Sequence, residues 1–241
     1  NNSTITALSV GYITPVSIAS GKTLSGAITV TAGSIKLDET GTLASTISMS
    51  GGVLDADESL TVSGALTQAG NITIDVADNK TLTYSGAAIS LGANTLTLIG
   101  GGTLSNTNAF VLNNANSKLL LNSITVDSVS TTIDNSLGVD VDNNSTITSL
   151  SVANITPVSI ASGKTLSGAI TVTAGSLKLT EAGTLASSVS MSGGVLDADN
   201  SSTLSGTLTQ AGNITIDLSL YTSDAADDMQ CVDLCGRRII K

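Results

Sequence analysis

Apolar and polar residues alternate along most of this chain, in short runs broken by turn-forming residues. GAITVTAGSIKLDETGTLAS from Gly26, STISMSGGVLDADESLTVSG from Ser45 and GALTQAGNITIDVADNKTLTYSG from Gly64 carry the same beat of about nineteen residues. Ile28, Ile47 and Leu66 fall in register, as do Leu24, Leu43 and Val62. Alternation of this kind predicts half-buried strands, three to a unit. Ala-Gly, Gly-Gly, Gly-Asn, Ser-Gly and Asp-rich pieces between them predict turns. One inward position, followed down the chain, gives Ile5, Leu24, Leu43, Val62, Leu82, Leu104, Val126 and Ile147, and the spacing widens a little after Val62.

A longer repeat is superimposed. Residues 1–76 recur at 143–218, offset by 142, with 13 differences in 76 positions. Seven short units fill one long one. The differences sort by predicted position. Ile35/Leu177, Ile47/Val189, Val62/Leu204 and Val76/Leu218 exchange one aliphatic for another at inward sites, where volume matters. Asp38/Thr180, Thr40/Ala182 and Glu58/Asn200 change polarity at outward sites.

A unit of this size cannot bury its apolar side alone, so it must lie on its neighbours. The expected fold is all-β: a right-handed parallel β-helix of about eleven coils, 19–22 residues each, over residues 1–218. At ~4.8 Å per coil, the rod is on the order of 50 Å long.

Composition narrows the function. Aromatics are 2% of the chain, and Trp and His are absent. A narrow aliphatic bore leaves little room for rings. The net charge of −10 argues against nucleic-acid binding, which needs Lys and Arg. No run of about twenty apolar residues predicts a membrane span. The chain starts inside a repeat without an initiator Met, so it reads as a piece of something longer.

Residues 219–241, SLYTSDAADDMQCVDLCGRRIIK, leave the pattern. They hold both Cys (Cys231, Cys235) and both Arg (Arg237, Arg238). They resemble a translated sequencing adapter, with Cys235 where the usual reading has Gly. The resemblance implies a tail foreign to the biological protein; the alternative reading is a C-terminal cap. Two cysteines are too few for a structural zinc site.

Residues 1–218 resemble the β-helical passengers of bacterial surface adhesins, of the filamentous haemagglutinin and autotransporter type. The likeness rests on the coil length, the Ser/Thr/Asn/Gly richness, the lack of Cys and the Thr-Leu…Ser-Gly phrase (Thr23–Gly26, and Thr81–Gly86). It implies a structural and adhesive rod, extracellular or on the bacterial cell surface, without catalysis. Its partner would be a host or cell-surface receptor or a polysaccharide. Membrane association would come only through an anchor outside these residues. Unpaired edges at the two ends predict edge-to-edge self-association.

Several residues could carry chemistry. Asp38 over Asp57 and Glu39 over Glu58 would bring acids together as Ca²⁺ requires. The second copy has Thr180 and Asn200 at two of those places, and the glycine–aspartate calcium nonapeptide is missing, so solvated turns are expected. Asp55 and Asp57 share a face as a glycosidase pair would, but no Trp or His builds a cleft. Lys36 beside Asp55, and Lys178 beside Asp197, predict surface ion pairs. Thr29-Val30-Thr31 over Ser48-Met49-Ser50 and Thr67-Gln68-Ala69 predicts a hydroxyl ladder, broken by Ser and Ala, of the sort ice-binding β-helices present. Asn71 and Asn213, in Asn-x-Thr phrases, are read as turn residues. No catalytic, cofactor-binding or metal residue is assigned. The alternative functions are a polysaccharide-acting or an ice-binding β-helix.

Overall fold

A computed structural model of the chain describes residues 1–132, 136–198 and 201–218. The tail lies outside them, as do Asp199 and Asn200. Among the described residues every element is a β-strand and every strand pairing is parallel. An eleven-stranded sheet takes one strand from each winding, so the described chain makes eleven coils. These occupy residues 3–16, 23–37, 42–56, 60–76, 81–99, 103–122, 125–141, 145–160, 165–179, 184–198 and 203–218. The remaining strands form a second, seventeen-stranded sheet. The class is that expected from the alternation: a parallel β-solenoid.

The bore is one continuous hydrophobic cluster, mostly aliphatic, from Val10 to Leu196. Successive coils stack like on like: Leu24 on Leu43 on Val62, Ile28 on Ile47 on Leu66, and Ile35 on Leu54 on Ile74 on Leu98 on Leu121. Each fully buried Leu or Ile contributes ~1.5–3 kcal/mol. Polar side chains enter it at several places; Gln68 donates its Nε2 to the carbonyl of Thr95 at 2.9 Å, and Asn106 donates to the carbonyls of Asn108 and Ser128 at 2.9 and 2.7 Å.

Four expectations need correction. First, five coils carry two strands, not three. In Ser3–Val10, Thr23–Val30, Thr125–Thr131, Ser145–Val152 and Thr165–Val172 the first two strands of the unit run on as one. Second, Ile5 does not stack on Leu24. Ser3 pairs with Leu24 and Ile5 with Gly26, and the register shifts between Ile5 and Leu8. Gly26 causes the slip. Its φ is +129°, and a Cβ there would lie 2.0 Å from the Ile5 carbonyl oxygen. Gly168 repeats this against Ile147.

Third, Val62 stacks on Tyr84, and Leu82 stacks on Leu60. The register beyond is as read: Leu82, Leu104, Val126 and Ile147 stack in turn. Fourth, rings do enter the bore. Tyr84 and Phe110 are both buried, in coils 5 and 6. The longer windings there leave the room that a nineteen-residue coil lacks.

Candidate functional surface

The two sheets turn different chemistry outward. Of the two sheets, the eleven-stranded one carries more charge. Lys36 reaches Asp55 at 3.5 Å and also pairs with Asp57. Lys178 meets Asp197 at 3.1 Å, Lys80 meets Glu58 at 2.6 Å, and Lys118 pairs with Asp140. Each pair joins neighbouring coils: Lys36–Asp55, Lys178–Asp197 and Lys118–Asp140 sit side by side on adjacent strands, while Lys80–Glu58 links two turns. The two pairs expected from the sequence, Lys36–Asp55 and Lys178–Asp197, are both formed. As half-exposed pairs they stabilise by at most ~1 kcal/mol each.

These contacts occupy the acids that a calcium ion would need. Asp57 and Glu58 are held by lysines, and Asp38 accepts from the Ser17 hydroxyl at 2.7 Å. No group of three or more His, Cys, Asp or Glu side chains that could hold a metal occurs among the described residues. Burial pushes the Asp55 carboxyl above its ordinary pKa, with Asp57 adding to the rise and Lys36 opposing it. Burial also raises Asp75 in the next coil, with Asp55 and Asp57 adding to it. The hydrogen bond to Asp57 is the main cause that raises Lys36. Asp55 and Asp57 thus share one lysine on an open sheet face. A shallow depression of about 360 Å³ does lie on the rod, but Gly52, Val53, Asn71, Ile72, Thr73, Thr95 and Thr97 line it, not these acids. Asn71 acts at a turn, where its Oδ1 accepts the Thr95 N–H at 2.8 Å.

The seventeen-stranded sheet is different. Its outward column Ser9, Thr29, Ser48, Thr67 runs through coils 1–4, and Ser90, Val111, Ser130, Ser151, Thr171, Ser190, Thr209 through coils 5–11. Ten of these eleven residues are Ser or Thr, and nine are exposed. The flanking column reads Ala27, Thr46, Ala65, then Ala169, Ser188, Thr207, with no charge in it. The ladder expected over coils 2–4 is therefore part of a face that runs the length of the rod.

A second rank is a feature the sequence reading does not anticipate. Thr23, Thr42, Thr61 and Thr83 stack, as do Thr81, Thr103, Thr125 and Thr146, and Thr165, Thr184 and Thr203. The signal was present: Thr precedes Leu, Val or Ile near the start of each coil. Stacked β-branched residues suit a pleated face and bond across strands. One charge enters this rank, Asp127, which accepts hydrogen bonds from Ser105 at 2.7 Å and Thr148 at 3.2 Å.

Fold and surface together define the chain as a β-solenoid with a charged side and a hydroxyl-and-methyl side. No family model, curated protein or solved structure matches it.

Proposed function

We propose that the chain is a structural and adhesive rod segment of an exported bacterial surface protein, acting outside the cell without catalysis. The observation that carries this is the division of charge. Outward residues of one sheet's second strand are small and uncharged from coil 1 to coil 11, while ion pairs crowd the other sheet. Such a face approaches a partner without desolvating charge, and its hydroxyls donate and accept at regular intervals. Many weak contacts along a stiff rod add up through effective concentration. The partner fitting this chemistry is a polymer rich in hydroxyls, such as a polysaccharide or the glycan of a surface receptor.

The test is retention of immobilised chain by a panel of neutral and acidic polysaccharides. Retention that falls when Ser151→Glu and Thr171→Glu are introduced together supports the reading. No retention, or turnover of the polymer, overturns it. An export signal in the parent reading frame would support the compartment.

A second reading is an ice-binding face, favoured by the stacked threonines. It predicts thermal hysteresis and faceted crystals. Unaltered ice growth at millimolar protein removes it.

A further inference from the structure

We propose that a depression beside coils 6–9, on the seventeen-stranded sheet, is a binding subsite for one uncharged sugar ring of a glycan, and that it rejects acidic sugars. The inference rests on the hydroxyl-rich partner proposed above, and gives that partner a seat and a charge. The depression measures about 360 Å³, at the low end of small-ligand sites, which run roughly 300–1,000 Å³. Its lining includes Gly101, Ser123, Thr125, Asn144, Thr146 and Ser167, with no Lys, no Arg and no aromatic ring. The sequence explains the hollow. Gly101 and Ser123 are small, and both turn through positive φ, +76° and +59°. Beyond them the threonine rank steps sideways. Thr125 stacks on Thr146 and Thr146 on Ser167, but Ser145 pairs with Leu166, so the next run starts at Thr165, against Asn144. The recess lies at that step.

Its polar groups are open to a ligand. Thr125, Thr146 and Ser167 alternate with the buried Val126, Ile147 and Leu166, and their hydroxyls bond to no other described residue. Asn144 accepts the Thr165 N–H through Oδ1 at 3.0 Å, which fixes the side chain and leaves Nδ2 to donate. Hydroxyls both donate and accept, as those of a sugar do. Threonine is stiff at χ1, so the array loses little freedom on binding. The charge preference comes from Asp127. It lies two residues along from Thr125 on the same outward side of the strand, roughly 7 Å away. Ser105 and Thr148 each donate to one of its oxygens, at 2.7 and 3.2 Å, and hold it there. A carboxylate has about four acceptor positions, so two stay open to sugar hydroxyls. The same charge repels a uronate, and no cation lines the recess to offset it. With no ring to stack on, one sugar binds weakly, with a Kd of millimolar order. Firm retention then needs a polymer that engages the rest of the hydroxyl face as well.

The experiment titrates the isotopically labelled full chain with neutral trisaccharides of glucose, mannose and galactose, and with trigalacturonate, and reads amide chemical shifts. At least one neutral trisaccharide should give saturable shifts at Asn144, Thr146 and Ser167, and trigalacturonate none. Thr146→Val and Ser167→Ala together remove two hydroxyls with little change of shape. They should weaken binding about tenfold or more, with circular dichroism and melting unchanged. Asp127→Asn should let trigalacturonate bind about as well as the neutral sugar, a gain that a merely structural role would not produce. Three outcomes overturn the subsite: no saturable shift with any neutral trisaccharide, stronger shifts with trigalacturonate, or shifts confined to Ser151 and Thr171 or to Thr73 and Thr97. Polysaccharide retention separates this failure from that of the adhesive reading. Retention that Ser151→Glu with Thr171→Glu abolishes, and Thr146→Val with Ser167→Ala leaves intact, overturns the subsite alone; no retention by any polysaccharide overturns both.

Discussion

Tyr84→Phe probes a repair in the wall of the solenoid. Between coils 4 and 5 the strands Leu66–Gln68 and Ile89–Ser90 do not form a ladder with each other, although strands of the other coils do. The buried Tyr84 hydroxyl stands in the gap. It accepts the buried Leu66 N–H at 3.1 Å and donates to the Ala87 carbonyl at 2.8 Å. Gly86 leaves the space, since a Cβ there would lie 2.5 Å from that oxygen. Phenylalanine keeps the ring and its packing but strands the Leu66 amide, at a cost of about 1–3 kcal/mol for an unsatisfied buried donor. Losing the bond to the part-exposed Ala87 carbonyl costs about 0.5–1.5 kcal/mol, because water can replace it. The expected loss is ~2–4 kcal/mol, concentrated at coils 4 and 5. Solenoids open locally, so amide hydrogen exchange at Leu66 is a sharper readout than global melting. Exchange there should accelerate by a factor of ~30 or more, while Leu121 changes little. Unchanged protection at Leu66 and a stability shift below ~0.5 kcal/mol would refute the bridging role.

Burial and clearance set three further expectations. Asp75 has no ion pair among the described residues, and burial raises its pKa above the ordinary 3.8. Its stabilising contribution is therefore present at low pH and lost as pH rises through the folded value. Asp75→Asn should raise the melting temperature at pH 7 and leave it nearly unchanged at pH 3; equal shifts at both would show that charge is not the cause. A Cβ on Gly64 would sit 1.8 Å from the Ser45 carbonyl oxygen, whereas one on Gly21 meets nothing within 4 Å, though Gly21 has φ +68°. Gly64→Ala should thus cost more than Gly21→Ala, which bears only the ~1–2 kcal/mol of a left-handed backbone; urea denaturation of the pair checks the order. Ile74→Ala should cost ~2–5 kcal/mol and Ile216→Ala less than half as much at low protein concentration, as measured by denaturation.

Much of the architecture was legible because small coils leave few choices. Leu24, Leu43 and Val62 recur at a constant step, and only stacking hides all three from water. The ion pairs of Lys36 and Lys178 followed from the same step. Lys118–Asp140 was harder to see, since it lies in a stretch where the coils lengthen and the repeat blurs. The misplaced stacking partners share one cause. A count carried forward from Ile5 or Val62 cannot sense an added residue, whether at the bulge between Ile5 and Leu8 or in the longer winding that brings Tyr84 over Val62. Aromatic scarcity misled for a related reason. It describes the average coil, and Phe110 sits in one of the wider ones. The threonine rank does not show in Thr-x-Thr phrases, because stacking needs only one Thr per coil at a fixed place.

The same backbone slip occurs between Ile5 and Leu8 and between Ile147 and Leu150, so the long repeat corresponds to a whole number of windings. A genetic crossover between the two copies would add or delete seven windings, roughly 34 Å of length, and leave every seam in phase. Reach could then vary between lineages like a ruler extended by identical segments, with no new junction to be solved by selection.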